Sequence, residues 1–145
     1  MISEGMIEEA FKILKAIHER YARYGEYWNH IECGGHYYRP MDSWLVLMAI
    51  QGLLYNGFEK RLRFIPKINE KSFRGLLTVT GNWGVVEQVV EDNVQKVSTS
   101  LERGSLKLKI LELKKFGSVE KVEVSVDGEA IEADFKEEKE KVVLE

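Results

Sequence analysis

A chain of 145 residues is the length of one domain, or of one domain with an extension. With 44% hydrophobic and 31% charged residues it is expected to pack a core rather than stay disordered. Its net charge of -3 argues against nucleic acid or an anionic membrane as partner, since both reward an excess of Lys and Arg.

The single cysteine, Cys33, excludes an internal disulfide framework and fits a reducing compartment. The first five residues, Met1-Ile2-Ser3-Glu4-Gly5, show no basic region leading into an apolar stretch, so no signal peptide is expected. The most apolar run, residues 44–50, is far too short to span a bilayer. A soluble, cytoplasmic protein is the expectation. The bias toward Glu and Lys, with few Gln and Cys, is that of a thermophilic source.

Residues 3–24 predict a helix. Met6, Ile7, Ala10, Phe11, Leu14, Ile17, Tyr21 and Tyr24 recur every three or four positions and form one apolar stripe. Ser3 is the expected cap, Glu8 with Lys12 an i,i+4 pair, and Gly25 the stop. His18 falls near the end of this helix, where a structural role is the plain reading. A loop over residues 26–39 follows. A second helix is predicted from Pro40 or Asp42 to the stop signal Asn56-Gly57. Its Trp44, Leu45, Val46, Leu47, Met48, Ala49, Ile50, Leu53 and Leu54 cover nearly every side, the pattern of a helix buried all round.

From Arg61 onward the chain reads as strands. Alternation marks Leu106, Leu108, Ile110 and Leu111, then Val122, Val124 and Val126, and finally residues 142–144. Residues 78–80 and 83–90 are further strands about a Gly81-Asn82 turn, and Asp127-Gly128 is a hairpin signal. The Glu137 to Lys141 charge run reads as a solvated turn. Together these predict an α+β fold. A two-helix part over residues 1–58 leads into an antiparallel β-sandwich-like part over residues 59–145, the two forming a single compact unit.

The stretch Asn29-His30-Ile31-Glu32-Cys33-Gly34-Gly35-His36-Tyr37-Tyr38-Arg39, with Ser43-Trp44 shortly after, resembles the motif N-E-I-E-C-G-D-H-Y-A-R…S-W. That motif belongs to family 116 glycoside hydrolases, the bile-acid β-glucosidase and glucosylceramidase group. Gly57-Phe58, residues 62–67, Phe73-Arg74 and Gly81-Asn82-Trp83-Gly84 resemble further family elements, so the similarity spans roughly residues 6–90. The resemblance implies the last helices of an (α/α)6 barrel beside a β-sandwich. It also implies a retaining mechanism, which needs two carboxyls about 5 Å apart. In the family both carboxyls lie upstream of the matched segment, so the resemblance supplies no catalytic residue here.

Two sugar-binding positions of the family fall within the match. Arg39 keeps the motif arginine, whose guanidinium is a planar fork of donors. The motif's first glutamate is His30 here, and its aspartate is Gly35. An imidazole cannot accept two hydroxyl protons as a carboxylate does, so the sugar pocket is altered. Arg39, His30, Glu32, His36, Trp28 and Tyr38 are the expected substrate-binding residues.

The same residues support other readings. His30, Glu32, Cys33 and His36 crowd into seven positions and are all potential metal ligands, though the spacing fits no established zinc pattern. Cys33 with His36 has the elements of a nucleophile–base pair but no marked third group. Tyr27, Trp28, Tyr37, Tyr38, Trp44 and Trp83 suit either a carbohydrate cleft or core packing. There is no P-loop, no dinucleotide fingerprint and no basic patch.

The favoured expectation is a non-catalytic subunit or split fragment of a retaining glycosidase, acting with a catalytic partner chain and a carbohydrate. The alternative is a homodimeric carbohydrate-binding or interaction module, and the third is a small metal-binding protein. No cofactor and no bound metal is expected. Self-association is, because two helices and a sheet cover too little of the second helix.

Overall fold

A computed structural model describes residues 1–26 and 42–145. The protein divides into two compact units, Met1–Ile50 and Gln51–Glu145.

In the first unit a short 3-10 turn, Ile2–Glu4, closes on Gly5, and helix α1 runs over Ile7–Arg23. The helix therefore begins later than the stripe of apolar residues suggests, and Ser3 lies in the turn rather than at the cap. Gly5 explains the delay, since its φ of 84° reverses the chain. The i,i+4 ion pair along α1 is Lys15–Glu19 at 3.6 Å. Tyr24 caps the end and Gly25 follows at φ 71°, as expected of a glycine stop. Helix α2 spans Asp42–Gln51.

The second helix is shorter than predicted, because residues 53–56 form a strand. Gly52 makes the break. It sits at φ 55°, and a Cβ there would collide with the Ile65 backbone. Its carbonyl accepts the Ile65 N–H at 3.2 Å. From this point the period changes from helical to two: Leu53 is buried, Leu54 exposed, and Tyr55 packs on the core.

The second unit holds ten strands among the described residues. In chain order they are β1 Leu53–Asn56, β2 Arg61–Phe64, β3 Ser72–Val79, β4 Asn82–Glu91, β5 Val94–Arg103, β6 Ile110–Lys114, β7 Val124–Val126, β8 Glu129–Ile131, β9 Phe135–Glu137 and β10 Lys141–Leu144. Five form one sheet in the order β1-β2-β6-β10-β9, three form a β3-β4-β5 meander, and β7-β8 make a separate hairpin. All pairings are antiparallel except β2 with β6, which is parallel. The part is otherwise antiparallel, as predicted, with that single parallel pair the exception. The α+β class stands, with helices first and sheets after.

The two larger sheets share one core. Leu53, Leu62 and Phe64 from the first meet Leu77 and Val86 from the second, with Phe73, Leu111 and Leu113 packed around them. Leu62, Phe64, Leu77 and Val86 are fully buried. The rings of Phe64 and Phe73 lie 5.8 Å apart at a tilt of 59°, a favourable aromatic geometry. Gln88 is buried in the same layer and is satisfied: its Nε2 donates to the Glu70 carbonyl, and its Oε1 accepts from Gln95. Gln51 Oε1, also buried, has no hydrogen-bond partner.

Two predicted turns are present as written. Asp127 and Gly128, at φ 53° and 86°, join β7 to β8, and Gly81 at φ 78° precedes β4. The strand expected from Leu106 begins only at Ile110, and that expected from Val122 only at Val124.

Candidate functional site

The sequence places its chemistry between the helices, and those residues lie outside the described ones. Trp28, His30, Glu32, Cys33, His36, Tyr38 and Arg39 all belong to residues 27–41. The described residues stop at Glu26 and resume at Asp42. On one side the Glu26 amide donates to the Tyr21 carbonyl at 3.0 Å, tying the chain to the last turn of α1. On the other side stands the start of α2. His18 is exposed on α1. Among the described residues, no group of three or more His, Cys, Asp or Glu could hold a metal ion. None of their helices is long and apolar enough to cross a membrane.

The helices themselves carry an unusual surface. The stripe of α1 is wider than its cover. Ala10 is buried and Ile7, Leu14 and Tyr21 are half-buried along its middle. Met6, Ile13, Ile17 and Tyr24 on one flank, and Phe11 on the other, stay exposed. In α2 the half-buried Val46, Ala49 and Ile50 take one side. Trp44 at 64%, Leu45 at 62%, Leu47 and Met48 are exposed on the other. Isolated apolar residues on a surface mean little, but contiguous apolar sides on a helix mark a surface built to be covered.

The described part of the β unit offers ion pairs rather than catalytic groups. Glu112, on the outward side of β6, is buried and accepts from Arg61 Nη1 at 2.5 Å and Lys141 Nζ at 3.1 Å. Burial alone would raise the Glu112 carboxyl. Hydrogen bonds and charge from Lys141 and Arg61 outweigh it and hold the group below its ordinary range. A general acid for glycoside cleavage needs the opposite shift. Glu112 is therefore a clamp between β2, β6 and β10. Glu137 is lowered similarly by the Val119 N–H and by Lys115. The hollow lined by Asn69, Glu70, Lys71 and Ser72 is shallow and open.

At the β1–β2 turn, Asn56 Oδ1 accepts the amides of Phe58 and Glu59 at 3.1 and 3.2 Å. This side-chain turn leaves the Phe58 ring 99% exposed.

Comparison with known proteins adds no neighbour: no family model, curated protein or solved structure matches the chain.

Proposed function

We propose that this protein is a non-catalytic piece of a retaining β-glucosidase-type assembly. In this reading α1 and α2 complete a helical body supplied by a catalytic partner. The observation that carries the proposal is α2, with Trp44, Leu45, Leu47 and Met48 in water on one side and apolar residues on the other. A helix apolar on all sides is stable only when enclosed by neighbours. The end of an (α/α)6 barrel supplies such neighbours, which agrees with the family 116 resemblance of residues 29–39. The substrate contribution falls to Arg39 and His30, with both carboxylates coming from the partner. Arg39 donates to sugar hydroxyls, and His30 in place of a glutamate alters which hydroxyls are held.

The test joins solution mass, sugar calorimetry and a nitrophenyl β-glucoside assay on one pure preparation. The expected result is sugar binding without turnover, lost in Arg39→Ala. A hydrophobic-dye signal is also expected, lost in the Trp44→Glu, Leu45→Glu double variant. Turnover by the pure protein would overturn the reading. A tight dimer with no dye signal would move the function to a homodimeric module that hides the same helix side.

A further inference from the structure

The outward side of the β3-β4-β5 sheet is a mixed surface with Trp83 at one end. Strand register places Thr78 and Arg103 on either side of Trp83, and puts Arg74 and Ser98 on either side of Glu87. Leu76, Val85 and Ser100 form the row between these two. The Trp83 ring is 49% exposed and Leu76 38% exposed. The Arg74–Glu87 ion pair also stands open to solvent.

A break in register sets Trp83 in place. Trp83 pairs with Arg103 but Gly84 with Leu101, so Glu102 is the extra residue of a bulge. Gly84 allows the bulge to close, because a Cβ there would strike the Ser100 backbone. Bulges of this kind re-aim a neighbouring side chain. The consequence is a large flat ring held on a rigid sheet and left partly in water.

We infer that this face binds an extended neutral oligosaccharide, with the Trp83 indole stacked on the C–H side of one pyranose ring. Thr78, Ser98 and Ser100 each offer both a donor and an acceptor, and Arg74 with Glu87 offers a fork of donors beside two acceptor oxygens. That set matches sugar hydroxyls, which donate and accept along a chain. An open strand surface of this kind does not enclose a single ring. Trp83 to Glu87 spans about 13 Å of strand, the reach of a short oligosaccharide. The proposal uses none of residues 28–39 and stands whether or not the protein joins a glycosidase.

Native gels cast with soluble β-glucan, xylan or mannan test it, followed by calorimetry with six-unit oligosaccharides of the retarding type. The expected result is retardation by at least one polymer, with the six-unit chain bound and its monosaccharide not. Trp83→Ala should weaken binding about tenfold or more with an unchanged melting curve. Trp83→Phe should keep part of it, Arg74→Ala should weaken it, and Phe58→Ala should leave it intact. No retardation by any polymer, or equal retardation of Trp83→Ala and wild type, would overturn the assignment. So would a change of solution mass in Trp83→Ala, which would make the face a contact between protein chains. If Trp83→Ala melts early, Arg74→Ala with Thr78→Ala decides in its place.

Discussion

The β unit buries a core of large apolar side chains between its two larger sheets, while the helices hold most of theirs in water. Phe64, Leu62 and Leu77 are fully buried between two sheets, whereas Trp44, Leu45, Ile17 and Tyr24 are more than half exposed. Burial contributes about 25 cal/mol per Å² of apolar surface. Most of that gain is realised in the sandwich, and much of it is left unrealised on α1 and α2. The sandwich has the means to fold by its own contacts. The helices have the composition of an interior without the neighbours of one.

Four changes would break or sharpen this contrast. The largest effect is expected at the core: Phe64→Ala should cost about 3–5 kcal/mol, read by denaturant unfolding of the β unit. A loss under about 1 kcal/mol would mean that the sheets do not share one core.

Next comes Glu112→Gln, which breaks the clamp joining three strands and leaves Arg61 and Lys141 without their shared carboxylate. Its pH dependence has a definite sign. Glu112 is held below its ordinary value of 4.5, so its contribution is present above the unfolded carboxyl range. It is lost as pH falls through the lower, folded value. The melting-temperature gap between wild type and Glu112→Gln should therefore close on acidification. A gap that stays constant would remove the clamp from the account.

The Trp44→Glu, Leu45→Glu double variant should change sandwich unfolding little while abolishing the hydrophobic-dye signal. A large loss of sandwich stability would show that α2 packs for the β unit's own sake. Smallest is Glu87→Gln: an exposed pair such as Arg74–Glu87 is worth at most about 1 kcal/mol. Chemical denaturation should barely register its loss.

Strands were legible where β-branched and apolar residues ran together between turn residues, as in β4, β10 and the Asp127-Gly128 hairpin. Leu53 to Asn56 misled because Leu53 and Leu54 extend the apolar count of α2. Only the conformation of Gly52, pressed against the Ile65 backbone, reveals the switch to a strand. β5 carried a fainter signal. Its Val97 and Leu101 face inward, but Lys96, Ser98 and Ser100 dilute the pattern, and the turn before it uses Asp92 and Asn93 at φ 48° and 63° rather than a glycine. The parallel β2–β6 pairing has no local signature, since it joins residues about fifty positions apart. The motif residues 28–39 were legible as chemistry alone, and they lie outside the described residues. Trp83 was legible as an aromatic, but not as one set on a bulge, because register is a property of paired strands.

The position of β10 has a consequence for synthesis. It lies inside its sheet, between β6 and β9, yet it is built from residues 141–144. The β3-β4-β5 meander joins sequence neighbours and can close as soon as it leaves the ribosome. The five-stranded sheet has to wait, with β6 and β9 exposing unpaired backbone until β10 emerges. Until β10 is released the chain is therefore a partial sandwich in which Leu111 and Leu113 of β6 lack their neighbours Leu144 and Val142.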